Sequence, residues 1–293
     1  MYQIFRILQQ IELCYTPIGV FMKKIFFASV GDLCIDNYLK YNESFPGGTA
    51  FNTAVNACES GARASIFSAI GTDTAAQIFQ KAFVFYDIDS THVKIFRGES
   101  SSINVSSNNK GQRYFSDWKL GVLKEYSFQP NDRKKLAEFD IAKITLFKPL
   151  QKLFDEFCQT SLPSTLKAAD FAGSSQTSES IIVIPRYINQ LDICIKSVSE
   201  KDTNSLSFLQ RISIEYKKKI LLALLGEKGS IAFLNGKSYK QRAIKTNVKD
   251  SNGAGDAYIA HFLISYLRKR DIPQAMFEAS KAASEKISKL GAT

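Results

Sequence analysis

The sequence predicts an α/β fold: a three-layer sandwich whose mostly parallel central sheet carries helices on both faces, with a small β lid beside it. Three observations predict it. Short apolar runs of strand length alternate with stretches of helical periodicity along most of the chain, the rhythm of βαβ units. Several of those runs end in Gly or Asp, where open sheets of this kind deliver chemistry to a ligand. Residues 102–115 break the rhythm with polar–apolar alternation around a turn, so they project from the sheet.

The elements follow in order. Residues 1–21 carry Arg6 and mild amphipathic character but no small-residue cleavage site. Met22 and Lys23-Lys24 before a strand-like run read as a natural start, so 1–21 are expected to be an extension outside a single domain spanning 22–293. Residues 25–30 form a buried strand that ends at Gly31-Asp32. After Pro46-Gly47-Gly48, Ala50, Phe51, Ala54, Val55 and Cys58 share one helical stripe, which Gly61 closes. Residues 65–70 are a second strand, stopped by Gly71. In 102–115, Ile103 and Val105 alternate with polar neighbours around Asn108-Asn109-Lys110-Gly111, a hairpin signal. The lid is expected to take in about 33–46 and 97–118. The rhythm returns with a strand at 143–147, a helix at 150–158, a strand at 166–171 ending at Asp170, and a Ser-rich loop at 173–180. A short strand at 193–195 precedes a helix starting over 197–202. Strands at 220–225 and 230–234 flank Gly226-Glu227-Lys228-Gly229. Helices at about 253–268 and 273–290 close the chain.

Composition narrows the function classes. With 293 residues, 45% hydrophobic and 23% charged, the chain is neither disordered, collagenous nor a disulfide scaffold. The net charge of +10 is spread thinly; runs such as 133–135, 217–219 and 268–270 are short and read as solvated faces. No nucleic-acid-binding pattern accompanies them, so no nucleic acid partner is expected. Five cysteines, an odd number without a CxxC, argue for reduced thiols and a cytoplasmic setting. Two histidines make a structural zinc site untenable. No apolar run reaches the ~18 residues of a membrane span, and no membrane partner is expected.

The chemistry concentrates in Asp250-Ser251-Asn252-Gly253-Ala254-Gly255-Asp256. Two glycines let backbone approach a ligand closely, and they open a strongly apolar helix. Free amides at a helix N-terminus, with the dipole behind them, form an anion site. A carboxylate at Asp256 beside a bound phosphate makes sense if a hydroxyl must lose its proton there, or if a cation intervenes. The alternative is a plain glycine turn in which Asp favours a helix start. Two better-known nucleotide motifs fail: Ile231 stands where a P-loop ending in Gly236-Lys237-Ser238 needs its first glycine, and Tyr258 takes the third glycine position of a dinucleotide fingerprint. A second cluster, Asp32, Asp36, Gly47, Gly48 and Asn52, offers carboxylates and a carboxamide suited to the hydroxyl edge of a sugar. Taken singly, Asp32 reads as a turn or cap residue and Gly47-Gly48 as a helix entry.

These two clusters resemble the paired signatures of the ribokinase-like (PfkB) carbohydrate kinases. Gly47, Gly48 and Asn52 match the N-terminal signature. Asp250, Gly253, Ala254, Gly255 and Asp256 match the C-terminal one, with Ser251 in place of Thr. The resemblance covers 22–293 and, within the family, points toward kinases of fructosamine-type sugars. It implies a ribokinase-like fold and an ATP- and Mg²⁺-dependent transfer of the γ-phosphoryl group to a hydroxyl of a ketose or fructosamine-type sugar. Asp256 would be the base, and Gly253, Ala254 and Gly255 the anion hole. Asp32, Asp36, Gly47, Gly48 and Asn52 would bind sugar. Ser197, Glu200, Leu225, Gly226 and Gly229 would line the nucleotide, with Glu200 working near Mg²⁺. A monovalent cation near Asp250 and a homodimer formed through the lid are further expectations it carries. The chain departs from the family at Thr49, where many members have Asn or Lys, at Ser197 and Leu224, where they have Asn and Thr, and in lacking the Gly usual soon after Asp73. Two alternatives stay open: a kinase of this family for another substrate, such as ribose or a nucleoside, and a non-catalytic regulator that binds sugar or nucleic acid on the same fold.

Overall fold

The computed structural model describes residues 13–14, 22–107, 113–172 and 181–288. The expected turn at 108–111, the Ser-rich loop at 173–180, the last residues of the final helix and most of 1–21 lie outside the described residues. Leu13–Cys14 (β1) and Met22–Lys23 (β2) pair antiparallel as a small sheet of their own. Then follow Phe26–Val30 (β3), Cys34–Tyr38 (β4), Glu43–Gly47 (β5), Thr49–Glu59 (α1), Arg63–Ile70 (β6), Thr74–Phe85 (α2), Val93–Ile95 (β7), Ser101–Ser107 (β8) and Arg113–Lys119 (β9). The second half adds Pro130–Leu136 (α3), Ile141–Thr145 (β10), Gln151–Gln159 (α4), Leu166–Asp170 (β11), Ile184–Tyr187 (α5), Ile193–Ser197 (β12) and Thr203–Glu215 (α6). Ile220–Leu224 (β13), Ser230–Leu234 (β14), Lys237–Gln241 (β15), Ala254–Lys269 (α7) and Ile272–Ile287 (α8) complete it.

The large sheet runs β15-β14-β13-β12-β11-β10-β3-β6-β7. Every pair from β7 to β13 is parallel, and only β14 and β15 turn back as an antiparallel edge. A parallel sheet must be covered on both faces, which is why its strands read as unbroken apolar runs. Side chains alternate between the faces. Phe27 and Ile141 join the core under α1, α2, α7 and α8, while Ala28, Val30, Ala142 and Ile144 join the core under α4, α5 and α6. By the same alternation Lys143 belongs to the α1 and α7 face, and it is fully buried.

The small sheet is ordered β5-β4-β8-β9. Its central pair, β4 and β8, is parallel with Asp36 opposite Ile103, and the flanking pairs are antiparallel. The hairpin expected at 102–115 is its β8–β9 arm. β5 leads directly into α1 through Gly48, whose φ of +92° only glycine adopts readily.

Two expectations need correction. The helix over 197–202 is absent: β12 extends to Ser197, which pairs with Leu224, and α6 starts at Thr203 behind Asp202, whose carboxylate accepts from the Ser205 amide at 3.0 Å. β10 runs two residues earlier than the apolar run suggests, because its start is set by Asp140, which accepts from the Phe26 amide at 3.0 Å. The sequence pattern leaves α2, α3, α5, β7, β15 and the β1–β2 pair unassigned. α2 escapes a stripe search because its outward face ends in exposed Val84 and Phe85. Its inward Phe79 and Phe83 pack on Phe51 of α1.

Candidate active site

The site assembles where the carboxyl ends of β3, β10, β11 and β12 meet the N-terminus of α7. Gly253 caps that helix in the left-handed region at φ +76°, which turns the chain so that Ala254, Gly255 and Asp256 form the first turn. The amides of a first helical turn have no partner within the helix, and the dipole makes them attractive to an anion. Beyond Gly255 nothing lies within 4 Å of where a Cβ would sit, so the turn faces open space. Gly253, Gly255, Asp256, Thr49, Thr145, Asp170 and Ser197 are among the residues lining a cavity of about 210 Å³.

Asp256 is held from three sides. Its Oδ2 accepts from Asn52 Nδ2 at 3.2 Å, and its Oδ1 accepts from Thr53 Oγ1 at 3.3 Å. Lys143 Nζ lies 3.9 Å from Oδ1. Burial pushes the Asp256 carboxyl up to about 7; Lys143 and the Asn52 hydrogen bond oppose that rise, while Asp170 and Asp32 add to it. Asp170, buried at the end of β11, is also raised by burial, against the pull of Lys143, the Ala172 amide and Lys196. A carboxylate tuned to this range can take a proton from an alcohol near neutral pH.

Asp32 follows β3 in the turn to β4. It accepts from the Thr49 amide at 3.0 Å and from Thr49 Oγ1 at 2.8 Å, so it also caps the start of α1. Thr49 Oγ1 and Thr145 Oγ1 are hydrogen-bonded at 3.0 Å. Asn52 stands one helical turn into α1, and its Oδ1 is buried without a hydrogen-bond partner among the described residues. An orphaned buried acceptor is costly unless something fills it. Asp36 faces inward from β4, and its Oδ2 and the Tyr38 hydroxyl accept from Asn252 Nδ2 at 3.3 and 3.1 Å. The small sheet is thereby tied to the loop that leads into α7. Gly47 is required by the same packing, since a Cβ there would sit 2.6 Å from the Asp36 carboxyl.

The remaining expected residues are more dispersed. Ser197 and Leu224 line the cavity beside Asp170. Glu200 lies exposed in the turn after β12. Leu225, Gly226 and Gly229 make the β13–β14 turn, closed by Leu225 N to Gly229 O at 2.8 Å. Gly226 faces open space, whereas a Cβ on Gly229 would meet Gln241 O at 2.0 Å, so Gly229 answers first to packing against β15. Asp250 is buried and accepts from the Asn252 amide at 2.9 Å. Asp170, which the sequence shows as a strand end, joins the site, and so do Lys143, Thr53 and Thr145, whose positions in the sequence do not announce it. Among the described residues no helix is long and apolar enough to cross a membrane, and no group of three or more His, Cys, Asp or Glu could hold a metal ion by itself.

A sheet of this order, with a second small sheet tied to the loop before α7 at its carboxyl edge, is the ribokinase-like architecture. An Arabidopsis thaliana ribokinase complexed with ribose and ATP shares it with a TM-score of 0.75 at 17% identity, covering 92% of this chain and 95% of that one. The chain belongs to the pfkB family of carbohydrate kinases, whose profile matches residues 30–293. It is therefore a phosphotransferase of the sugar kinase class. It is 27% identical over 265 residues to a fructoselysine 6-kinase from Shigella flexneri, spanning 90% of this chain and 98% of that enzyme. It is 24% identical over 267 residues to the fructosamine kinase FrlD of Bacillus subtilis, spanning 90% and 91%.

Proposed function

We propose that the protein transfers the γ-phosphoryl group of ATP to a primary hydroxyl of a fructosamine-type sugar, in the manner of a fructoselysine 6-kinase. The observation that carries the reading is the pairing of Asp256, a carboxylate raised to about 7 in the first turn of α7, with Asn52, whose second polar atom is buried and unpartnered. Asn52 binds the base with its amide protons and has its carbonyl oxygen left for a sugar hydroxyl. Asp32 and Asp36 present further acceptors, and Gly47 and Gly48 set the backbone between them. Asp256 takes the proton of the attacking hydroxyl, the oxygen forms its bond to the γ-phosphorus, and the bond to the departing ADP breaks. The Gly253, Ala254 and Gly255 amides hold the charge that develops on the phosphoryl oxygens.

Ser197, Leu225, Gly226 and Gly229 border the nucleotide in this reading. Magnesium keeps several waters and is usually held by one or two carboxylates with substrate phosphates. Glu200, exposed just beyond Ser197, is a carboxylate of the kind that habit uses. When bound, magnesium would neutralise charge on the phosphate oxygens. Asp250, buried under the anion loop, is the carboxylate beside which a monovalent cation would support it. The β4–β5 and β8–β9 strands act as a lid that excludes water from the transfer. Their exposed Tyr41, Phe45, Tyr114 and Phe115 make the lid the face for a homodimer. The free thiols of Cys34, Cys58, Cys158 and Cys194 suit a cytoplasmic enzyme.

Two expected results test this. In a panel of fructosamines, ketoses, ribose and nucleosides with coupled ADP detection, a fructosamine should give the highest kcat/KM. ADP formation confined to a nucleoside, or absent throughout, would overturn the assignment. The base must be ionised to act, so kcat should fall as pH drops through about 7. A rate that holds level down to pH 5 would show that no such group titrates.

A further inference from the structure

Lys143 is a buried cation with no place in the chemistry just described. It is fully buried in β10, between Ser29 of β3 and Ala168 of β11, on the face that packs under α1 and α7. A buried charge is expensive unless paired, and an apolar side chain would fill this core at less cost. The small residues on both sides leave a long side chain free to reach the carboxyl edge of the sheet. There its ammonium donates to Thr53 Oγ1 at 3.1 Å and to Thr145 Oγ1 at 2.7 Å.

Each of those hydroxyls leads to a carboxylate. A hydroxyl has one proton to donate and two lone pairs to accept with. Thr53 accepts from Lys143 and donates to Asp256 Oδ1 at 3.3 Å. On the other side the one proton of Thr49 Oγ1 is drawn to Asp32 Oδ1 at 2.8 Å. The same hydroxyl also reaches Thr145 Oγ1 as a donor at 3.0 Å, so its proton is shared between the two, and Thr145 itself accepts from Lys143. Two hydrogen-bonded chains thus leave one ammonium: Lys143–Thr53–Asp256 and Lys143–Thr145–Thr49–Asp32.

We propose that Lys143 is a positioning residue that sets both ends of the reaction at once, aligning the proton acceptor through Thr53 and the sugar-binding carboxylate through Thr145 and Thr49. The proposal rests on the reading of Asp256 as the base and Asp32 as a sugar ligand. The charged groups facing Asp256 are Lys143 from β10, Asp170 from β11 and Asp32 from the turn after β3; Lys196 of β12 acts on Asp170. Among the described residues Lys143 is the cation facing Asp256, so its charge opposes the rise that burial and the two carboxylates impose.

The branching makes the role separable from mere packing. Thr53→Val keeps shape but cuts the first chain; it should move the acid limb of kcat up by about one pH unit and lower kcat, with sugar KM unchanged. Thr145→Val cuts the second chain; it should raise sugar KM ~10-fold, with the acid limb in place. Lys143→Met should do both. Threonine variants that change the same parameter, or a Lys143→Met enzyme with an unmoved acid limb, would overturn the proposal. Should Lys143→Met fail to fold, the two threonine variants decide alone. An Asp256→Asn enzyme that still turns over would remove the base on which this rests. An inactive Asp256→Asn beside threonine variants that do not split overturns only the positioning role.

Discussion

Asp256→Asn is expected to remove turnover while leaving the fold and nucleotide binding in place. The amide is the same size; its oxygen can still accept from Asn52 while its NH2 donates to the Thr53 hydroxyl oxygen, so the first turn of α7 keeps its shape. What it loses is the capacity to take a proton. General-base help is worth ~10²–10⁴-fold, and the loss should fall on kcat, since Asp32 and Asn52, the proposed sugar ligands, remain. Steady-state kinetics with coupled ADP detection, beside titration of the nucleotide, separate the two. Retention of more than about a tenth of the wild-type rate would be incompatible with a base contributing at that level.

Gly48→Ala should damage fold and sugar site together. The added carbon would sit 2.4 Å from the Asp32 carbonyl oxygen and 2.9 Å from the Cys34 amide, both backbone atoms that cannot swing aside. The φ of +92° is itself unfavourable for alanine. Backbone strain of this kind costs about 1–3 kcal/mol, and relieving the contact must push the Asp32 turn away from α1. The expected result is a lower denaturant midpoint together with a raised sugar KM, because the displaced turn carries Asp32 off its Thr49 partners. A midpoint equal to wild type would mean that the turn is looser than this packing implies.

How much of this could be read before any coordinates depends on how local each signal is. The start of α7 is legible because its requirements are local: a left-handed residue at Gly253 and a carboxylate three places on. The strand ends that deliver Asp32 and Asp170 are legible for the same reason. Lys143 is not. In the stretch Asp140-Ile141-Ala142-Lys143-Ile144-Thr145 it looks like a solvent-facing strand residue, and only the register beside Ser29 and Ala168 buries it. Thr49 reads as a departure from the family pattern, yet its amide and hydroxyl both hold Asp32. The helix expected over 197–202 shows the opposite failure. A polar stretch with a good cap residue is ambiguous by one turn, and pairing with β13 decides it.

Trp118, the one tryptophan in the chain, lies on β9 of the small sheet. Its indole donates to Ser101 Oγ at 3.0 Å, and its ring meets the edge of Phe147, beyond the end of β10, at 5.2 Å between centroids. It therefore straddles the seam between the two sheets. The enzyme carries a built-in optical gauge of that seam: any opening or closing of the cleft changes the surroundings of a single fluorophore, and its emission can be followed on native, unlabelled protein.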